Sequence, residues 1–144
     1  MSFYGKYLHN IDSHGRISLP SKLRQSLNGE LLLGKGLDGC LALYTVKEYD
    51  LFIEKIITSK SFASHEVRDV KRALARRMMP VELDSVSRIT IPKDLIDELM
   101  MKGSLVITGV GDHIEIWEKN AFEVYEKKTN DSLEDILEKL DNGS

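Results

Sequence analysis

Disulfide scaffolding is the first thing this sequence lacks: a single cysteine, Cys40, cannot form an internal framework and fits a reducing interior. No apolar run approaches the ~20 residues that a membrane span needs. The opening stretch, MSFYGKYLHNID, has no apolar core of signal-peptide length, so a cytoplasmic location is expected. Metal-ligand spacing is missing as well. His9, His14, His65 and His113 form no such pattern with one another or with Cys40, so no metal and no other cofactor is expected. Cys40 has no adjacent base in sequence, and carboxylate pairs such as Glu134 with Asp135 lie in an acidic tail whose ordinary role is a solvated face. These residues assemble no reaction, and the chain reads as a non-enzyme.

Overall positive charge is also absent, the net being −3. Its distribution is uneven, however. Residues 1–27 carry Lys6, Arg16, Lys22 and Arg24 against Asp12 alone, a balance of +3. Residues 65–79 carry five cations against Glu66 and Asp69, again +3, whereas residues 112–144 hold ten acids and four lysines, or −6. The average therefore conceals basic surfaces and an acidic tail. At 144 residues, 42% apolar and 30% charged, the chain suits one compact domain or two small halves sharing a core.

What the sequence does contain is a repeat. Residues 12–27, DSHGRISLPSKLRQSL, lie without a gap over residues 84–99, DSVSRITIPKDLIDEL. After one extra residue in the second copy, 36–52 lies over 109–125, with Tyr44 meeting Trp117 and Phe52 meeting Tyr125. Such a match indicates a tandem duplication of roughly 45 residues.

Each copy reads alike. A strand (about 7–11, then 80–84) enters a tight turn, and a second strand (16–19, then 88–91) leaves it. Ile17 and Leu19, like Ile89 and Ile91, alternate toward one face. Pro20 and Pro92 end those strands and suit the start of short helices over 21–27 and 93–100. Two more strands follow, 30–34 with 40–44 and 104–108 with 113–117. Thr45 with Glu48 makes a capping box for a helix to about 58, and a second closing helix spans about 119–128. Between the copies, 64–79 reads as a connecting helix with Ser64 as N-cap and a buried stripe of Val67, Val70, Leu74 and Met78. Residues 58–64 read as a loop, 132–140 as a last helix, and DNGS as a loose end.

Three stretches bear on function. In DSHGR, Asp12 can accept backbone N–H bonds and Gly15 permits a positive φ, while Arg16 either bridges back to Asp12 or projects outward. One such turn is ordinary structure; two present paired arginines to a partner that itself repeats, such as DNA. The stretch GKGLDG at 34–39 matches G-x-G-x-x-G in letters, but the strand-like CLALY follows where a dinucleotide site needs a helix, so it reads as a glycine-rich loop. In the connecting helix Arg68, Arg72 and Arg76 share a face. They suit either phosphates or the acids of a neighbouring subunit, the latter favoured because Arg76 and Arg77 adjoin the second core strand.

The repeated D-x-x-x-R, the continuation GRISLPSKLRQSL and the arginine pair of RRMMP resemble the MraZ family, which groups with SpoVT and AbrB-like swapped-hairpin DNA-binding proteins. The resemblance spans all but the acidic last dozen residues. It implies an α+β fold of two tandem AbrB-like β-α-β halves related by pseudo-twofold symmetry, with connecting and C-terminal helices. The expected organisation is a first half over 1–60, a connecting helix over 61–79, a second half over 80–128, and a C-terminal helix and tail over 129–144. The resemblance further implies a homo-oligomeric ring, usually of eight. That ring would bind double-stranded DNA at short direct repeats upstream of the division and cell-wall gene cluster, giving a nucleoid-associated transcriptional regulator. Asp12 and Arg16 take the first D-x-x-x-R, Asp84 and Arg88 the second; His14 stands where lysine is common, and Ser87 where glycine is. The expected DNA-binding set is Arg16, His14, Lys22, Arg24 and Arg88, with Asp12, Gly15 and Asp84 locking the turns. An AbrB-like antitoxin, holding a toxin through the 132–140 helix, is the alternative.

Overall fold

In each copy of the repeat the first strand leaves its own half. The computed structural model describes residues 2–57 and 64–143. There β1 (Lys6–Asn10) pairs antiparallel with β7 (Ser104–Gly109) of the second copy, and β5 (Met78–Val81) pairs with β3 (Leu31–Lys35) of the first. With β4 (Leu41–Thr45) and β8 (Ile114–Glu118) they build one six-stranded sheet in the order β1-β7-β8-β4-β3-β5. Exchanging the copies leaves that order unchanged, so a pseudo-twofold axis passes between β4 and β8 at the Ala42–Glu115 pair. The same axis passes through a separate two-stranded ribbon, β2 (Arg16–Ser18) with β6 (Arg88–Thr90), at its central pair Ile17–Ile89. The α+β class holds, with halves that interlock.

Alternation along the strands assigns the layers. Leu31, Leu33, Leu41, Leu43, Leu105, Ile107, Ile114 and Ile116 turn to one face of the sheet and join Ile17, Leu19, Ile89 and Ile91 in the main core, beneath the ribbon. The short helices α1 (Ser21–Arg24) and α4 (Lys93–Glu98) add Leu23, Leu95 and Ile96 to it. The other face of the sheet carries Ala42, Tyr44, Val106 and Trp117. On these pack α2 (Val46–Ile57), through Tyr49, Phe52 and Ile53, and α5 (Lys119–Gly143), through Phe122. The connecting helix α3 (His65–Arg76) joins the same outer layer through Leu74.

Two glycines make the strand exchange possible. A Cβ on Gly34 would lie 2.1 Å from the Arg77 carbonyl oxygen, and one on Gly109 would lie 2.3 Å from the Phe3–Tyr4 backbone. Each sits where the chain entering β5 or β1 crosses the neighbouring strand, so no side chain fits.

Several element boundaries differ from expectation. Helix α3 ends at Arg76 and not at 79, because Met78 enters β5 opposite Gly34, where ladder bonds and burial outweigh one more helical turn. Val70 is 39% exposed, so only Val67 of the expected stripe is fully buried on the helix. Ser64 is extended as an N-cap should be but makes no side-chain cap bond, whereas Thr45 Oγ1 accepts the Glu48 N–H at 3.2 Å. The two expected C-terminal helices are one, α5, which runs through the supposed loose end to Gly143. Thr129 and Ser132 at the expected break turn their hydroxyls back to the carbonyls of Tyr125 and Lys128 at 2.8 Å and so do not interrupt it. Its start is capped by Glu118, whose carboxylate accepts the N–H groups of Asn120 and Ala121. The loop expected over 58–64 lies, but for Ser64, outside the described residues. GKGLDG forms the β3–β4 hairpin, with Asp38 and Gly39 at φ 64° and 87°. Among the described residues no helix is long and apolar enough to cross a membrane.

Candidate nucleic-acid interface

The two D-x-x-x-R turns are superimposable in their bonding. Asp12 Oδ1 accepts the backbone N–H groups of His14 and Arg16, both at 2.9 Å, and Oδ2 accepts Arg16 Nε at 2.8 Å. Asp84 Oδ1 accepts the N–H groups of Val86 and Arg88 at 3.0 and 2.9 Å, and Oδ2 accepts Arg88 Nε at 2.8 Å. The arginine thus both bridges back and remains presented. Its Nε is one of five guanidinium donors, and the side chains of Arg16 and Arg88 are 33% and 31% exposed. The Arg16 N–H, acting against desolvation and reinforced by the guanidinium and the His14 N–H, holds the Asp12 carboxyl down at about 2. The Arg88 N–H lowers Asp84 in the same way.

Gly15 takes φ 77°, and Ser87, which replaces glycine in the second turn, takes φ 64°. A residue with a Cβ has therefore been forced into the left-handed region, and Arg88 keeps the geometry of Arg16. Each turn is strapped to the opposite copy. Gly15 O accepts the Ile91 N–H at 2.8 Å, and Ser87 O accepts the Leu19 N–H at 3.2 Å.

The ribbon has one buried and one open face. Ile17 and Ile89 point inward with no exposed surface, so Arg16, Ser18, Arg88 and Thr90 point outward together. Register sets Arg16 opposite Thr90 and Ser18 opposite Arg88, so the arginines stand on a diagonal, as neighbours about 7–8 Å apart with their Cβ atoms somewhat closer. Ser18 and Thr90 were not singled out from the sequence. The alternation that turned Ile17 inward was the signal that could have found them.

The other expected residues divide differently from their order in sequence. His14 is exposed at the tip of the first turn. That turn borders α4 and the following loop, with Lys93 and Lys102 lining the same depression. Lys22 and Arg24 belong to α1, whose first residues follow Leu19, the residue strapped to the second turn. The strap therefore sets the chain that leads into their helix beside the second turn, from which Arg88 leaves. Arg68, Arg72 and Arg76 lie on α3, in the layer across the sheet from the ribbon, and are not part of this surface.

Other polar groups are held for structure. Burial, with Glu115 and Asp38 nearby, pushes the Cys40 thiol up, and Sγ donates to the Leu37 carbonyl at 3.2 Å. His113 stacks on Tyr44 and lies between Asp112 and Glu115, at 2.6 and 3.3 Å. Burial would lower its pKa, but the two carboxylates outweigh that and raise it. Among the described residues no three of His, Cys, Asp or Glu gather as metal ligands.

Comparison with known proteins finds relatives along nearly the whole chain. The family model described as "MraZ protein, putative antitoxin-like" matches residues 2–73 and 76–142. A transcriptional regulator MraZ of Mycoplasmoides gallisepticum is 40% identical over 139 residues, covering 96% of this chain and 97% of its own. The protein of the same name from Mesoplasma florum is 33% identical over 144 residues, covering 99% and 98%. That of Acetivibrio thermocellus is 36% identical over 138 residues, covering 96% of each.

Proposed function

The chain belongs to the MraZ family, and on that footing we propose that it is a DNA-binding transcriptional regulator which reads sequence with the outer face of the β2–β6 ribbon. The observation that carries this reading is the diagonal pair of Arg16 and Arg88, flanked by Ser18 and Thr90 on one open two-stranded surface. A B-DNA major groove admits a two-stranded ribbon, and a guanidinium fork bonding guanine O6 and N7 is the commonest specific contact. Asp12 and Asp84 hold each fork by Nε, so the terminal nitrogens meet the base with little left to order. His14 on one side and Lys22 and Arg24 on the other bind phosphates and set register, with Lys93 and Lys102 adding to the first.

One subunit offers few such contacts. We take the assembly to be a ring of about eight subunits, cytoplasmic and nucleoid-associated, bound to short direct repeats upstream of the division and cell-wall genes. Repetition of the patch then supplies affinity through avidity. Substituting Arg16→Ala should cost about 1–3 kcal/mol per subunit contact and abolish a specific gel shift with that upstream region, while the mass of the assembly stays unchanged. Undiminished affinity would refute the role of Arg16. The family description's antitoxin wording supports a second reading, with a toxin held on α5. A toxin that copurifies with the full-length chain, and is lost on Leu137→Asp, would favour it.

A further inference from the structure

We propose that the outer layer of the first half binds a small single-ring aromatic carboxylate, its ring in a cavity under α2 and its carboxylate on Arg77. The cavity lies between the sheet, α2 and the end of α3, and its volume is about 120 Å³. Ala42, Tyr44, Tyr49, Phe52, Leu74 and Met78 supply its apolar wall. An apolar cavity of ~150 Å³ stays dry and takes up benzene, so this one suits one ring and little more. The void has a cause in the repeat. In the second half Trp117 stands at the position of Tyr44 and stacks on Tyr125 at 4.9 Å. Tyrosine lacks the second ring of the indole, and Ala42 stands where the second half has Glu115, so the first half starts with less volume. The rings around the space are already held. Tyr44 meets Tyr49 edge to face at 4.9 Å and Phe52 at 5.8 Å, and Tyr49 Oη donates to the Leu74 carbonyl at 2.7 Å. A site fixed in advance loses little on binding, and aromatic walls favour a guest with faces and edges of its own.

Charge along the lining selects the sign of the guest. Lys35 and Arg77 both border the cavity, but Lys35 Nζ is bonded to Glu98 at 3.0 Å. Arg77 is exposed at the open end and, among the described residues, enters no ion pair. Burial raises the pKa of the Tyr49 phenol and Arg77 opposes that rise, which sets the guanidinium charge beside this ring. Glu115, the acid of the lining, is already engaged: Oε2 lies 3.3 Å from His113 Nε2, and Oε1 accepts Trp117 Nε1 at 3.2 Å. The guanidinium is therefore the charge still to be met, and a carboxylate matches its planar fork with two parallel bonds. The site lies across the sheet from the ribbon and adds to the DNA reading without depending on it.

Titration of the full-length chain with benzoate, followed by NMR, tests the site. Benzoate should bind saturably, one molecule per chain, and shift the ring resonances of Tyr44, Tyr49 and Phe52. Cyclohexanecarboxylate keeps the charge without the aromatic ring, and benzylammonium keeps the ring with the opposite charge. Each should bind at least tenfold more weakly than benzoate. Arg77→Gln, at an exposed position, should lower benzoate affinity at least tenfold and leave benzylammonium no weaker. Ala42→Ile fills the cavity and should abolish the shifts; should that buried change unfold the chain, Arg77→Gln decides by itself. The proposal is overturned if benzoate leaves those rings unmoved, if either other probe binds as tightly, or if Arg77→Gln binds benzoate undiminished. Benzoate that still shifts the rings of a folded Ala42→Ile chain would overturn it too. None of these positions lies on the ribbon, so the outcome is read separately from the Arg16-dependent DNA contact.

Discussion

At the scale of single residues, Asp12 and Asp84 each collect three donors, two of them backbone, and so fix both the turn and the arginine that leaves it. Both carboxyls are held below their ordinary value of 3.8, Asp12 at about 2. Their contribution to stability is therefore complete above about pH 4 and is lost as pH falls toward 2. Denaturant unfolding at a series of pH values should show that loss. It should be smaller in the Asp12→Asn/Asp84→Asn double variant, and an identical acid limb would contradict the assignment. Ser87 offers the converse test. A Cβ in the left-handed region costs ~1–2 kcal/mol, of which glycine's greater freedom in the unfolded chain returns ~0.5–1. Ser87→Gly should therefore raise the melting temperature by a few degrees without moving Arg88. A fall would mean that the φ of 64° is not strained.

At the scale of elements, the exchanged strands depend on glycine. Gly34→Ala drives a Cβ into the Arg77 carbonyl, an atom of backbone that cannot swing aside. It should cost ~1–3 kcal/mol or more and reduce hydrogen-exchange protection first in β5. Gly109→Ala should do the same to β1, and protection unchanged in both would be contrary. Most elements were legible in the sequence because each copy repeats the same alternation and the same proline. The exchange of β1 and β5 was not, since a strand's pattern is identical whether it pairs within its own copy or with the other. Nor were the straps legible, which bring the chain leading into α1, the helix of Lys22 and Arg24, to the second turn. The fusion of α5 was hidden by Thr129 and Ser132, hydroxyl residues that mark breaks when they bond forward and continue a helix when they bond back.

At the scale of the whole molecule, the sheet separates two surfaces. The ribbon, with its arginine diagonal and flanking cations, occupies one side; the helices, with a basic α3 and an acidic α5, occupy the other. A net charge of −3 is thus compatible with a nucleic-acid surface, because the acids of α5 lie on the other side of the sheet. The most direct test compares the unsubstituted chain with the Arg16→Ala/Arg88→Ala double variant on upstream repeat DNA and on a scrambled duplex, across salt concentrations. The intact chain should prefer the repeats. The double variant should bind both duplexes alike and keep a log–log salt slope of about −0.9 for each phosphate still contacted. A double variant that retains the full preference for the repeats would contradict the reading of DNA by the ribbon.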